Sequence, residues 1–160
     1  MGKFNEDFCE RTIMTFDGKI ILLVEDNSDD EALTLRALKH SNLTNRIDVV
    51  RDGVEALDYL FCTGVHEQRD CSQKPAVIFL DVKLPKMDGA EVVKKIRENE
   101  QTRHIPVVML TTSTQESDMV RCYENGANSY IQKPIDFKNF MQTVTLMGAY
   151  WLTLNSAPKD

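Results

Sequence analysis

The run Ala76-Val77-Ile78-Phe79-Leu80-Asp81, followed by Val82-Lys83-Leu84-Pro85-Lys86-Met87-Asp88-Gly89, decides how this chain folds. Its apolar part has the length of a strand and no polar alternation, the pattern of a strand covered on both faces in a parallel sheet. It stops on a single carboxylate, Asp81, and breaks into a loop carrying Pro85 and Gly89. Open α/β sheets place their chemistry outside the carboxyl ends of their strands. Asp81 is therefore the candidate reactive group, and the remaining chain is read for what it brings beside that residue.

Upstream, Lys19 to Val24 is an apolar strand ending in Glu25-Asp26-Asn27, and Ser28-Asp29-Asp30-Glu31 is a capping box that opens a helix. Leu33, Leu35, Ala37 and Leu38 supply the apolar positions of that helix, and Ser41-Asn42 ends it. Arg46 to Val50 is the second strand; Asp52-Gly53-Val54-Glu55 caps a helix that buries Val54, Leu57, Leu60 and Phe61. Thr63 to Pro75 is polar and aperiodic, long for a connection, and reads as a flexible or partner-facing loop. Downstream, Asp88 and Glu91 cap a helix with Val92, Val93 and Ile96 inward, and Ile105 to Leu110 is a strand ending in Thr111-Thr112-Ser113. Ser113 to Glu116 is a further capping signature, for a helix that stops near Asn125-Gly126. Asn128 to Gln132 is the fifth strand and runs into Lys133-Pro134; Asp136 caps a last helix with Phe137, Phe140, Met141, Val144, Met147 and Trp151 at helical spacing. Five strands alternating with five helices call for an α/β fold, a doubly wound parallel sheet with helices on both faces.

The 160 residues suit one domain: an N-terminal extension at 1–18, a folded unit at 19–152 and a tail at 153–160. The extension is either partly ordered chain or a lid or dimer arm. A formal charge of −6 argues against an electrostatic grip on nucleic acid. No apolar run approaches the roughly 20 residues that cross a bilayer, and Met1 to Asp7 has no secretory apolar segment, so a cytoplasmic protein is expected. Cys9, Cys62, Cys71 and Cys122 form no C-x-x-C pair, which suggests neither a disulfide framework nor a zinc ribbon. Met87, Met109, Met119, Met141 and Met147 read as core filler.

In a parallel sheet the strand ends share one edge, so Glu25, Asp26, Asp81, Thr111 and Lys133 can gather in one cleft. Carboxylates crowded there repel one another unless a cation intervenes. Mg²⁺ accepts one or two fixed carboxylates and completes its shell with water and phosphate oxygens. A hydroxyl and an ammonium suit the spare oxygens of a phosphoryl group. The combination reads as reversible phosphoryl attachment to Asp81.

On these residues the chain resembles the response-regulator receiver domains of two-component signalling, from Lys19 to about Leu152. The resemblance rests on Glu25-Asp26, on Asp81 with Pro85 and Gly89, on Thr111, and on Tyr130 three positions before Lys133-Pro134. It implies a flavodoxin-like sheet of order 2-1-3-4-5, with Asp81 as phosphoacceptor. It also implies Asp26 as direct Mg²⁺ ligand, Glu25 acting largely through water, and the main-chain carbonyl of Lys83 as a further ligand. Lys133 would pair with the phosphoryl group, Thr111 would bond to it, Tyr130 would be the switch aromatic, and the Lys133-Pro134 peptide would be cis. Thr112 and Lys83 depart from many relatives at the mouth of the site and suggest slow hydrolysis of the aspartyl phosphate, shortened in lifetime by Thr112→Ala.

More narrowly, Val24 to Asn27, Arg51 to Leu60, the long loop and Tyr150-Trp151-Leu152 are similar to single-domain regulators of phytochrome kinases. That resemblance implies a sensor histidine kinase as partner, in a phytochrome-type pathway. It also implies a homodimer through the fourth helix, fifth strand and fifth helix, to which Tyr150, Trp151, Leu152 and Leu154 add an apolar stripe. No segment after Trp151 reads as a DNA-binding domain, so output is expected through protein contact. The protein would modify itself rather than turn over a substrate. An aspartyl-phosphate phosphatase would need an acid where Lys83 stands. A flavin carrier would need a phosphate-cradling loop where Glu25 and Asp26 stand.

Overall fold

A computed structural model describes residues 18–40, 45–133 and 136–158. The expectations for the N-terminal extension, for Ser41-Asn42 and for the peptide before Pro134 lie outside the described residues. The elements are β1 (Ile20–Val24), α1 (Ser28–His40), β2 (Arg46–Val50), α2 (Gly53–Phe61), β3 (Pro75–Leu80), α3 (Gly89–Glu98), β4 (Val107–Thr111), α4 (Glu116–Glu124), β5 (Ser129–Gln132) and α5 (Phe137–Ala149). A wider, π-type turn, Tyr150–Leu154, continues α5. All strand pairs are parallel, in the order β2-β1-β3-β4-β5. This is the doubly wound, flavodoxin-like arrangement expected.

Successive side chains of a strand point to opposite faces, so the continuous apolar runs fill two cores at once. On one face Leu22, Val24, Ile78, Leu80, Val107 and Met109 pack with α2 and α3 and with Cys122 of α4. On the other, Ile21, Leu23, Val77, Phe79, Val108 and Leu110 meet Ala37 and Leu38 of α1, Phe140 and Val144 of α5, and Leu152. Each such fully buried aliphatic side chain contributes about 1.5–3 kcal/mol. The outer strands are half-buried, and β2 carries Arg46 and Asp48, charges that discourage edge-to-edge pairing.

Asp52, Asp88 and Asp136 cap α2, α3 and α5 as expected. Two caps differ. Asn27 Oδ1, not Ser28, accepts from the N–H groups of Asp29 and Asp30 at 3.0 Å, because the amide is already turned toward the first helical turn. Ser113 does not cap α4; its hydroxyl donates to Asp118 Oδ2 at 2.6 Å, and Gln115 sits at the cap without a side-chain bond. Val54 is 39% exposed while Ala56 and Tyr59 are buried, so the inward face of α2 is rotated from the one its spacing suggested. Met109 is core but Met119 is 40% exposed.

The stretch expected to be a loose loop contains a short 3₁₀ turn, Gly64–His66, and is closed by a disulfide between Cys62 and Cys71. This corrects the reading of scattered, unpaired cysteines. C-x-x-C spacing is no requirement for a bond when a loop returns on itself, and here the two Cα atoms lie 5.9 Å apart.

Candidate functional site

β1 and β3 are neighbours in the middle of the sheet, and Asp81 N–H donates to Val24 O at 3.2 Å, so their ends stay in step. That register sets Glu25 and Asp26 beside Asp81, with carboxylate oxygens of all three within 4.8 Å of one another. Glu25 is 2% and Asp81 8% exposed, whereas Asp26 is open to solvent. Behind Asp81 the chain must turn sharply into α3. A Cβ on Gly89 would stand 2.1 Å from the Asp81 carbonyl oxygen, so only glycine lets α3 start this close. Gly53 plays the matching part on α2, where a Cβ would meet Met87 O at 2.2 Å. Between them Lys86 takes a left-handed φ of +64° and its ammonium pairs with Asp52 at 3.0 Å.

β5 delivers the cation. Lys133 N–H donates to Thr111 O at 2.7 Å, continuing the β4–β5 ladder. Its side chain is only 5% exposed and reaches Glu25 Oε2 at 2.6 Å, Asp30 Oδ2 at 3.2 Å and Asp81 Oδ2 at 3.6 Å. Burial alone would lower the Lys133 pKa; the bond to Glu25 and the charges of Asp81, Glu25 and Asp30 outweigh it and hold the ammonium protonated. At Glu25 burial prevails: it and the Asp81 charge push the carboxyl up to about 7 despite the Lys133 ammonium. Three carboxylates, Glu25, Asp30 and Asp81, face one ammonium and Asp26 stands beside them, so the pocket stays short of positive charge, and its hard oxygen donors form a site that suits a divalent cation.

Thr111 is fully buried at the end of β4, and its hydroxyl accepts from Ser113 N–H at 3.1 Å. Tyr130 is half-buried, packs against the core beside α4, and its hydroxyl lies 3.4 Å from Ser113 O. The structure thus brings Glu25, Asp26, Asp81 and Lys133 into direct proximity, with Thr111 and Tyr130 on the adjoining β4–β5 side. Lys83 N–H donates to Asp81 Oδ1 at 3.4 Å, and its ammonium pairs with Asp118 at 3.4 Å. Thr112 is exposed.

Two groups escaped the sequence reading. Asp30 stands in the first turn of α1, directly after the Glu25-Asp26 pair at the end of β1, and that closeness in sequence was an available signal. Asp118 is buried and bonded to Ser113, Lys83 and Arg121; its i,i+3 spacing to Arg121 on α4 was a signal, but the Lys83 ammonium comes from the distant β3–α3 loop.

A parallel sheet of this order, with a trio of carboxylates and a buried lysine at its carboxyl edge, defines a class. The chain belongs to the response regulator receiver domain family, whose model matches residues 21–145. It is 46% identical over 139 residues to the probable methanogenesis regulatory protein FilR2 of Methanothrix harundinacea, covering 87% of each chain. It is 38% identical over 140 residues to the response regulator Rcp1 of Synechocystis sp., covering 88% of this chain and 93% of that one. The Mn²⁺-bound structure of Rcp1 superimposes with a TM-score of 0.79 at 37% identity, over 88% of this chain and 99% of the other. The phosphorylated cyanobacterial phytochrome response regulator RcpA gives 0.81, at the same identity and coverage.

Proposed function

We propose that Asp81 accepts a phosphoryl group from the phosphohistidine of a sensor histidine kinase, and that the phosphorylated chain signals through protein contacts. The observation that carries this reading is the Lys133 ammonium 3.6 Å from Asp81 and 2.6 Å from Glu25, inside a ring of carboxylates. Asp81 attacks phosphorus through one Oδ, and the bond to the donor imidazole nitrogen breaks. Lys133 is then free to exchange a carboxylate partner for a phosphoryl oxygen, a stronger charge-assisted bond. The Thr111 hydroxyl turns from Ser113 N–H to another phosphoryl oxygen, and Tyr130 follows the space vacated beside it. Glu25, Asp26, Asp81 and the main-chain carbonyl of Lys83 would hold Mg²⁺. When bound, the ion supplies neutralisation of the charge that gathers on the transferring group.

The receiver unit is residues 19–152, with residues 1–18 an extension and 153–160 a tail. Its reaction is self-phosphorylation and self-dephosphorylation without a turnover substrate, in the cytoplasm, with no nucleic-acid contact. Among the described residues no helix is long and apolar enough to cross a membrane. The likeness to Rcp1 and RcpA supports a phytochrome-type kinase as the donor. A homodimer through α4, β5 and α5 is supported by exposed Met119, Val120 and Tyr123 on α4 and by Leu146, Tyr150 and Leu154 after them. The stripe is narrower than its sequence suggested: Leu152 is fully buried and Trp151 packs against the core.

Incubation with acetyl phosphate and Mg²⁺, followed by intact-mass measurement, tests the reading. Wild type should gain one phosphoryl mass, and neither chelated wild type nor Asp81→Asn should. Equal gain by Asp81→Asn would overturn it.

A further inference from the structure

The bond between Cys62 and Cys71 lies outside both cores, and Cys71 precedes β3, the strand that ends at Asp81. Cys62 is the left-handed cap of α2, its N–H bonded to Asp58 O; Cys71 is exposed. From Thr63 to Lys74 no residue is buried, and Val65, the one aliphatic side chain there, is 79% exposed. No apolar side chain therefore anchors this segment, and order that rests on exposed polar contacts is readily lost. Those contacts converge on one group. The Arg69 guanidinium lies 3.9 Å above the Tyr59 ring, donates to Tyr59 O at 3.1 Å and donates to Gln73 O. His66 stands edge-on to the same ring at 5.3 Å and 3.2 Å from Glu55 Oε1. Tyr59 in turn donates to Asp48 of β2 at 2.6 Å. Arg46, Asp48, Tyr59, His66 and Arg69 line a hollow of about 430 Å³ along the outer strand of the sheet.

We infer that Cys62 and Cys71 form a reversible thiol–disulfide site for small cellular thiols, whose oxidation state sets the order of the 63–74 loop and the shape of the hollow on β2. Cys71 is the exposed residue of the pair, and its sulfur is the point of attack by a small thiolate of the glutathione class. The attacking sulfur bonds to Cys71 Sγ, the Sγ–Sγ bond breaks, and the electron pair leaves on Cys62, which takes up a proton. A second small thiolate then attacks the small-molecule sulfur of the mixed disulfide. Cys71 departs and is protonated, and the small thiols leave as their own disulfide. The pair gains two electrons and two protons from two thiols, and the oxidised small disulfide reverses each step. Cys122 does not compete, because it is buried and burial pushes its thiol up to about 11.

The test uses the full chain equilibrated in mixtures of reduced and oxidised glutathione, then alkylated without denaturant and peptide-mapped. Hydrogen exchange is followed over residues 63–74 in the same mixtures. Cys62 and Cys71 should pass together from linked to alkylated as the mixture becomes reducing, with Cys122 untouched. Exchange over 63–74 should be at least tenfold faster in the reduced form. It should be equally fast in Cys62→Ser and Cys71→Ser in every mixture, while β1, β3 and β4 exchange unchanged. The inference is overturned if the two cysteines stay free in oxidised glutathione or stay linked in reduced glutathione. Pairing of either with Cys9, or loop exchange that ignores the bond, overturns it equally.

Discussion

Lys133 is asked to neutralise more charge than one ammonium can, and this fixes what its loss should do. Lys133→Met leaves Glu25, Asp30 and Asp81 facing one another in a largely buried pocket, where removing one partner of a buried pair costs about 3 kcal/mol or more. Thermal unfolding of the metal-free variant should fall well below that of wild type, and Mg²⁺ should restore more of it than it adds to wild type. Phosphorylation by acetyl phosphate should slow about 100-fold, the scale expected when one charge-stabilising donor is removed. Glu25 makes a separate demand. Its carboxyl is held up to about 7, so its protonated fraction grows as pH falls through that value, and a proton must leave before a cation binds. Mg²⁺ affinity measured calorimetrically should therefore drop between pH 8 and pH 6. Glu25→Gln should bind more weakly but with that pH dependence flattened; an unchanged slope would remove Glu25 from the ligand set.

The β3–α3 connection is where sequence and structure can be weighed element by element. The strand, its terminal Asp81 and the Asp88 cap were legible because each rests on a local rule: apolar continuity, strand-end placement, an acid before a helix. Gly89 was legible as a loop glycine, but its reason, 2.1 Å from the Asp81 carbonyl, exists only once α3 packs back on the strand. Gly89→Ala should destabilise by about 1–3 kcal/mol through overpacking, read as a lower urea midpoint, and should slow phosphorylation by shifting Asp81. The Asp118 cluster was only half legible for a like reason: Ser113 and Arg121 are its neighbours in sequence, whereas Lys83 and Asp88 join them only once the β3–α3 connection packs beside α4. Asp118→Ala should release the Lys83 ammonium and the Ser113 hydroxyl together and alter the lifetime of the aspartyl phosphate; Thr112→Ala, with its side chain already exposed, should alter it less. A larger effect from Thr112→Ala would favour the steric explanation of slow hydrolysis. The Cys62–Cys71 bond was missed because residue spacing carries no information about a loop that doubles back.

At the scale of the molecule, two cores share one sheet, and the reactive edge lies where the strands of that sheet end. Exposed apolar side chains stand on α4 (Met119, Val120, Tyr123) and along the end of α5 and its last turn (Leu146, Tyr150, Leu154); that turn lies at the opposite edge, where the Lys19 ammonium donates to Leu152 O at 2.7 Å. Tyr123→Glu combined with Leu146→Glu should hold the chain monomeric in light scattering at concentrations where wild type forms the proposed dimer, with its phosphorylation rate within twofold of wild type. Unchanged mass would move the interface elsewhere. All of this presupposes one covalent event at one oxygen. Borohydride reduction of the acetyl-phosphate-treated protein converts an acyl phosphate to an alcohol, and peptide mapping then locates it. Homoserine at position 81 alone, formed only when Mg²⁺ is present, is the expected result; reduction at Glu25, Asp26 or any other carboxylate, or none at all, would contradict the account.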